Sequence, residues 1–422
     1  MQTKSAHTAP TAHPMPLDGV RVLDLATEQG LMCGRLLADL GADVIKVERP
    51  GGDPARASGP FYKDVPGPDR SLAWQFLNLN KRGVTIDIET RPGADLLRRL
   101  VTTADILVES FAPGRMARLG LDYPALSKLN PRLIMVSISP FGQTGPYRDW
   151  KAADIVEMAM GGWMSPSGDA DRPPVRCSVE QAYLQAGAQA AAAVMIAYCQ
   201  RQHTNAGSYI DLSIHEAVLN SVIGVVSMYQ HDKSVQKRTA LATFNHLVRR
   251  PSFKCKDGSI AFRYYTGRGM GSQMKNVIDW MKEEGKAQEL ADFDFEQRKL
   301  TDTTQAESDR WDQIFADFFI NYTKKEIYHQ ALKRRFMMFP INTMADILRD
   351  EQLASRGFFT TVPAPSLGGD LLFPGAFARL SETPVAFRRL APTIGQHNDE
   401  ILGKEIGLTP QEIDGMSKSH AG

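Results

Sequence analysis

Short β-branched runs alternate with amphipathic stretches along the first half of the chain. Residues 20–25 (VRVLDL), 43–48 (DVIKVE), 84–88 (VTIDI), 106–109 (ILVE) and 133–138 (LIMVSI) read as strands. Between several of them, 31–40, 93–101 and 123–129 carry apolar residues at helical spacing. Such alternation predicts an α/β fold, a parallel sheet with helices on both faces and ligands gathered beyond the carboxyl ends of its strands. An alanine-rich helix is expected over 183–203, a strand over 208–213 and a further helix from His215. Near residue 232 the composition shifts. Charged residues crowd 274–336, with Ile278, Trp280 and Met281, then Trp311, Ile314, Phe315, Phe318 and Phe319, at helical spacing. That predicts a smaller, mostly helical domain with a short sheet near 252–265, its aromatic residues forming core. The expected organisation is a disordered lead-in (1–15), a large domain (16–231), a small inserted domain (232–340) and a returning segment of the large domain (341–422).

Composition narrows the function. The chain has 422 residues, room for two or three domains. Its 49 Lys+Arg and 48 Asp+Glu leave a net charge of +1 and no global field for nucleic acid or an anionic membrane. The most apolar stretch, 186–199, is too short to span a bilayer. Cys33, Cys177, Cys199 and Cys255 are scattered, which argues against a disulfide framework or zinc site and suits a reducing cytoplasm. The turn after the first strand, ATEQGLMCG at 26–34, lacks the GxGxxG fingerprint, and GRGMG at 267–271 is followed by no Gly-Lys-Ser/Thr. Both argue against an NAD or ATP enzyme. His215-Glu216 lacks the second histidine of a zincin, and His246 and His397 have no partner visible in sequence. No metal and no resident cofactor is expected.

Eight separated stretches, in order, are PLDGVRVLD (16–24), GADVIKVERP (41–50), NLNKRG (78–83), VESFAPG (108–114), LNPRLI (129–134), FGQTGP (141–146), RGFF (356–359) and APTIGQHN (391–398). Together they resemble the class III coenzyme A transferases, also called the CaiB/BaiF family. The resemblance implies a Rossmann-like large domain built from both chain ends, a smaller α+β domain inserted between, and two ring-shaped subunits linked through each other. It also implies coenzyme A (CoA) and acyl-CoA as substrates. Carried over position by position, the CoA contacts fall on Gln29, Arg49, Phe111, Arg118 and Lys151, residue types suited to phosphates and an adenine ring. Two departures stand out. Glu89 occupies a family lysine's position, where it would repel a phosphate, and the tight-turn residue after Gln29 is deleted.

Catalysis in the family rests on one aspartate, which passes through a mixed anhydride and an aspartyl-CoA thioester, a cycle only a carboxylate can run. Its position corresponds here to Tyr183. A phenol of pKa near 10 is about one part in a thousand ionised at pH 7, and an aryl ester would not exchange. Glu180 and Asp154 are the carboxylates near enough in sequence to be weighed as substitutes. Glu180 would lie about 10 Å off along an extended approach. The racemase branch needs a histidine where Ala153 stands and the same aspartate, so both of its bases are gone.

The resemblance thus points to a non-catalytic subunit of a heteromeric CoA-transferase whose paralogous partner supplies the aspartate, as in succinyl-CoA:benzylsuccinate transferases of anaerobic aromatic degradation. A self-sufficient transferase or isomerase using Glu180 or Asp154, and a CoA-binding regulatory protein, are the alternatives.

Overall fold

The computed structural model describes residues 14–418 apart from 170, 234, 236, 237, 239–241, 245 and 246. His246 and residues 1–13 lie outside the described residues. Met15, expected in the lead-in, is instead buried, and its backbone N–H donates to the Asp18 carboxylate at 2.6 Å.

Six strands make one parallel sheet: β1 (Arg21–Asp24), β2 (Asp43–Glu48), β3 (Arg82–Thr85), β4 (Ile106–Glu109), β5 (Ile134–Ser139) and β6 (Ser208–Ser213), ordered β3-β2-β1-β4-β5-β6. The order reverses between β1 and β4, where a doubly wound sheet leaves a crevice. Leu23, Ile45, Val84, Leu107 and Met135 enter one core cluster with Leu97, Leu100, Ile401 and Leu402. Their neighbours Val22, Val44, Ile106 and Val136 are equally buried, so both faces of the sheet are covered. The mixed α/β class read from the alternation is therefore the observed one.

The helices of this unit are α1 (Leu31–Asp39), α2 (Leu72–Leu77), α3 (Arg91–Val101), α4 (Arg115–Arg118), α5 (Tyr123–Leu129), α6 (Asp154–Met160), α7 (Gln181–Thr204) and α8 (Ile214–Asn220). α3 starts earlier than its apolar spacing suggested because Thr90 caps it, its hydroxyl accepting the Gly93 N–H at 3.2 Å. β3 ends at Thr85, short of the expected 88, because its neighbour β2 ends opposite at Glu48. Ile86 and Ile88 remain buried beyond the ladder. α7 packs on α1 through Gly187, where a Cβ would come within 2.6 Å of the Met32 Cβ. No helix among the described residues is long and apolar enough to cross a membrane.

The chain divides into two compact units. The first takes the described residues up to Trp163, Cys177–Ser227 and those from Gly357 onward. The second takes Met164–Arg176 and Met228–Arg356, so residues 341–356 belong with the smaller unit rather than with the returning segment. After α9 (Ile223–Asp232) the second unit carries β7 (Ala242–Phe244) paired with β8 (Leu247–Arg249), and a three-stranded antiparallel sheet of β9 (Ser252–Cys255), β10 (Gly258–Phe262) and β11 (Met338–Ile341). The helices α10 (Ser272–Glu283), α11 (Gln305–Phe319) and α12 (Lys324–Arg334) bury Trp280, Trp311, Phe315, Phe318 and Phe319 in a single aromatic core.

The returning segment finishes the first unit's sheet. The His397 N–H donates to Gly83 O at 3.0 Å, and Nδ1 of His397 accepts the Gly83 N–H at 3.0 Å. Oδ1 of Asn398 accepts the Thr85 N–H at 2.9 Å. The partner of His397 is thus a backbone edge, invisible to any local reading, and burial holds this imidazole below its usual pKa.

Beneath the sheet's crevice runs a buried charge network. Nζ of Lys81 donates to Asp24 at 2.7 Å, to Asn78 at 2.9 Å and to Leu31 O at 3.1 Å, with both charged side chains fully buried. The other Asp24 oxygen accepts the Ala26 N–H at 3.0 Å, while Nζ of Lys46 donates to Ala26 O at 2.6 Å and pairs with Asp53 at 3.1 Å. The loop leaving β1 is therefore pinned at Ala26, by Lys46 directly and by Lys81 through Asp24. Lys81→Met, which leaves Asp24 buried without its ion partner, is expected to cost about 3–5 kcal/mol in urea unfolding at pH 7, and Asp24→Leu/Lys81→Met less than that single change.

Candidate active site

The carboxyl ends of β1, β2 and β3 and the loop after β4 enclose a cavity of about 400 Å³. Leu25, Val47, Ile86 and Ile88 give it an apolar wall, and Thr27, Arg49, Glu89, Phe111 and Arg115 supply its polar and aromatic groups. Thr27 is held by its N–H donating to the Ser110 hydroxyl at 2.8 Å. Of the five expected CoA contacts, Arg49 and Phe111 line this cavity. Arg118 and Lys151 are exposed and do not line it. Gln29, half-buried, lies two residues beyond Thr27 on the same pinned loop.

Arg115 was not singled out from sequence, yet it changes the meaning of Glu89. Nε of Arg115 donates to Oε1 of Glu89 at 2.7 Å, and its guanidinium lies 4.3 Å from the Phe111 ring centroid. Ring, cation and carboxylate form one layered group at the cavity wall. The expected repulsion from Glu89 is thus offset by a cation beside it. The only sequence signal was an arginine at the start of a short helix after Gly114, whose φ of 79° turns the chain into α4.

Tyr183 sits in the first turn of α7, 8% exposed. Its hydroxyl is engaged by the Gln29 side chain and the Asp154 backbone, and burial, with the charges of Glu28 and Asp154 adding, pushes its pKa up to about 12. The phenol is neutral across the physiological range. Asp154 opens α6, and its Oδ1 accepts the Ala182 N–H at 2.8 Å, so this buried carboxylate caps α7. Glu180 occupies the N-cap position itself, exposed, without a side-chain cap bond. Because α7 begins at Gln181, Glu180 and Tyr183 are separated by one helical turn, about 5–6 Å, and not by the extended 10 Å. Ala153 precedes α6 and brings no base.

Two acidic residues that the sequence did not flag belong to this neighbourhood. Glu28 is raised by burial and by the charges of Glu180, Asp53 and Asp154. Glu157, one turn along α6 from Asp154, is wholly buried, and burial together with the Asp154 charge pushes it up to about 8. The charges of Glu28 and Asp154 both act to keep the Tyr183 phenol protonated. His215 packs against Phe141, ring centroids 5.7 Å apart. In a spectrophotometric titration, wild type and Tyr183→Phe are expected to show the same phenolate absorbance below pH 11 and to diverge above it.

The model of CoA-transferase family III matches residues 17–398. The chain is 34% identical over 408 residues to the succinyl-CoA:(R)-benzylsuccinate CoA-transferase subunit BbsE of Thauera aromatica, covering 95% of this chain and 97% of that protein. It is 35% identical to a succinyl-CoA–D-citramalate CoA-transferase of Chloroflexus aurantiacus, covering 95% and 96%. A CaiB/BaiF family protein from Brucella suis superposes with a TM-score of 0.80 at 28% identity, covering 93% and 99%. With the motifs, the parallel sheet and the matched length all in agreement, the chain belongs to the class III CoA-transferases.

Proposed function

We propose that this chain is the non-catalytic subunit of a two-chain CoA-transferase that moves CoA from succinyl-CoA to a carboxylic acid such as benzylsuccinate. The single observation that carries the reading is Tyr183, a buried neutral phenol at the nucleophile's position, engaged by Gln29. A paralogous partner supplies the aspartate, and the two chains interlock as rings. The named subunit from Thauera, and the alpha and beta subunits of a succinyl-CoA–L-malate CoA-transferase from Chloroflexus at 31% and 30% identity, support a paired assembly.

On the partner, the aspartate carboxylate attacks the succinyl-CoA carbonyl, forming an anhydride and expelling CoA thiolate. The thiolate then attacks the aspartyl carbonyl and releases succinate, leaving an aspartyl-CoA thioester. The acceptor carboxylate attacks that thioester in turn, thiolate leaves, and its return to the acceptor's carbonyl frees the aspartate. No such cycle runs at Tyr183. In this chain Arg49, Phe111 and Arg115 hold CoA at the cavity beside β1–β4, with Gln29, Arg118 and Lys151 as further contacts, and each pair of chains has one productive centre. The compartment is the cytoplasm.

The chain alone is expected to show no turnover, and co-expression with an aspartate-bearing paralogue is expected to give an active complex in which Tyr183→Phe changes kcat by less than about twofold. Turnover of about 1 s⁻¹ or more by the purified single chain would sink the reading. Hydroxylamine trapping followed by peptide mapping addresses the rival reading, in which Glu180, exposed one turn from Tyr183, becomes acylated. A regulatory role predicts CoA binding without activity in the complex as well. Because the Glu89–Arg115 pair is half-exposed and worth about 0.2–1 kcal/mol, Glu89→Gln is expected to tighten CoA binding by up to about fivefold in a calorimetric titration, less at high salt.

A further inference from the structure

A second cavity, of about 270 Å³, lies between the β4–β5–β6 part of the sheet, through Glu109, Met135, Ser137 and Tyr209, and the α4–α5 segment, through Met116, Ala117 and Tyr123. Its volume is that of about nine waters at ~30 Å³ each, too small for a nucleotide and sufficient for a short-chain organic molecule. Glu109, the last residue of β4 and 3% exposed, lines it beside its ladder partner Ser137. Tyr123 and Tyr209 stack over it, ring centroids 5.7 Å apart and planes 28° from parallel, and Asp122 stands half-buried beside them. Met116 and Met135 supply the apolar surface. No lysine, arginine or histidine is among its lining residues.

These walls select a charge type. An anion would meet two lining carboxylates, with the nearest cation acting on Glu109, Arg115, outside the lining. A neutral apolar molecule would leave the Glu109 carboxylate with its Phe111 N–H and Ser137 hydrogen bonds but bring it no counter-charge. A primary ammonium satisfies the carboxylate, donates to the hydroxyls of Ser137 and Tyr209, and gains from an aromatic face. We infer that this cavity is a binding site for a small organic ammonium ion, with the Glu109 carboxylate as counter-ion and the Tyr123–Tyr209 stack as wall. The site stands independently of whether the chain is catalytic. Its ligand also meets the coenzyme cavity's structure, because Oε2 of Glu109 accepts the Phe111 N–H at 2.7 Å and the Phe111 ring lines that cavity.

The groups facing Glu109 set the pH range. Burial pushes its pKa up to about 7 and the Asp211 charge on β6 adds to that, while Ser137 on β5, the Phe111 N–H and the Arg115 charge on α4 pull it down. The cation needs the ionised form, so affinity should be full above pH 8 and fall as pH drops through 7.

Calorimetric titration of the purified protein with n-butylamine, and with n-butanol as the uncharged control, tests the assignment. Expected are butylamine binding at pH 8.5, about tenfold weaker binding at pH 6.0, and none for butanol at either pH. Glu109→Gln should lose at least tenfold, and Asp122→Asn, at a position whose side chain caps nothing, should lose severalfold with the far-UV spectrum unchanged. Failure of butylamine to bind at pH 8.5, equal binding of butanol, or unchanged affinity in folded Glu109→Gln overturns the assignment. Should Glu109→Gln fail to fold, unchanged affinity in Asp122→Asn together with a flat pH profile overturns it equally.

Discussion

Two ammonium groups with almost no access to water hold the centre of this molecule in place. Lys81 and Lys46 sit under the reversal point of the sheet and divide between them the carboxylates of Asp24 and Asp53. Charges buried this deeply persist only when every proton and lone pair finds a partner. Here the partners include Ala26 O, Leu31 O and the Asn78 amide, so the cost of desolvation is spent on fixing where the chain goes after β1. Thr27 and Gln29 take their places from that constraint. The cavity wall and the contact with Tyr183 both follow from it.

The catalytic question reduces to the entrance of one helix. In α7 the cap is not the residue immediately before the helix but Asp154, reaching across from α6. A carboxylate that accepts a backbone N–H at a helix start is stabilised where it is. Glu180 is free of that duty but exposed, and Glu28 beside it adds like charge. The acidic groups around Tyr183 thus differ in their surroundings, Asp154 buried and bonded to the Ala182 N–H and Glu180 exposed at the helix N-cap.

What could be read in advance followed from period and spacing. The apolar runs of β1, β2, β4 and β5 declared themselves because burial on both faces requires nearly uninterrupted apolar positions, and the edge strand β6 by its alternation of apolar and polar residues. The end of β3 did not, since it depends on where the neighbouring strand stops. Motif stretches were legible as family signals but not as chemistry. NLNKRG proves to be architecture: Asn78 and Lys81 serve the buried network, Asn80 bonds Asp39 at 2.7 Å, and Arg82 pairs with Asp43, Glu400 and Glu405. Arg115 escaped notice because its role comes from stacking on Phe111 and reaching Glu89, 26 positions away. Glu109 looked like the tail of a strand, and only three-dimensional packing makes its burial apparent.

The pairing of His397 with Gly83 has a consequence for biosynthesis. These residues are 314 positions apart, so the outer strand of the sheet leaves the ribosome long before the segment that covers it. At about 5–20 residues per second the delay is roughly 15 to 60 s. Throughout that interval β3 presents an open row of backbone donors and acceptors to other nascent chains, a template for mispairing. Expression at lower temperature, or with holdase chaperones in excess, addresses a vulnerability that arises from chain order alone and disappears once the polypeptide is finished.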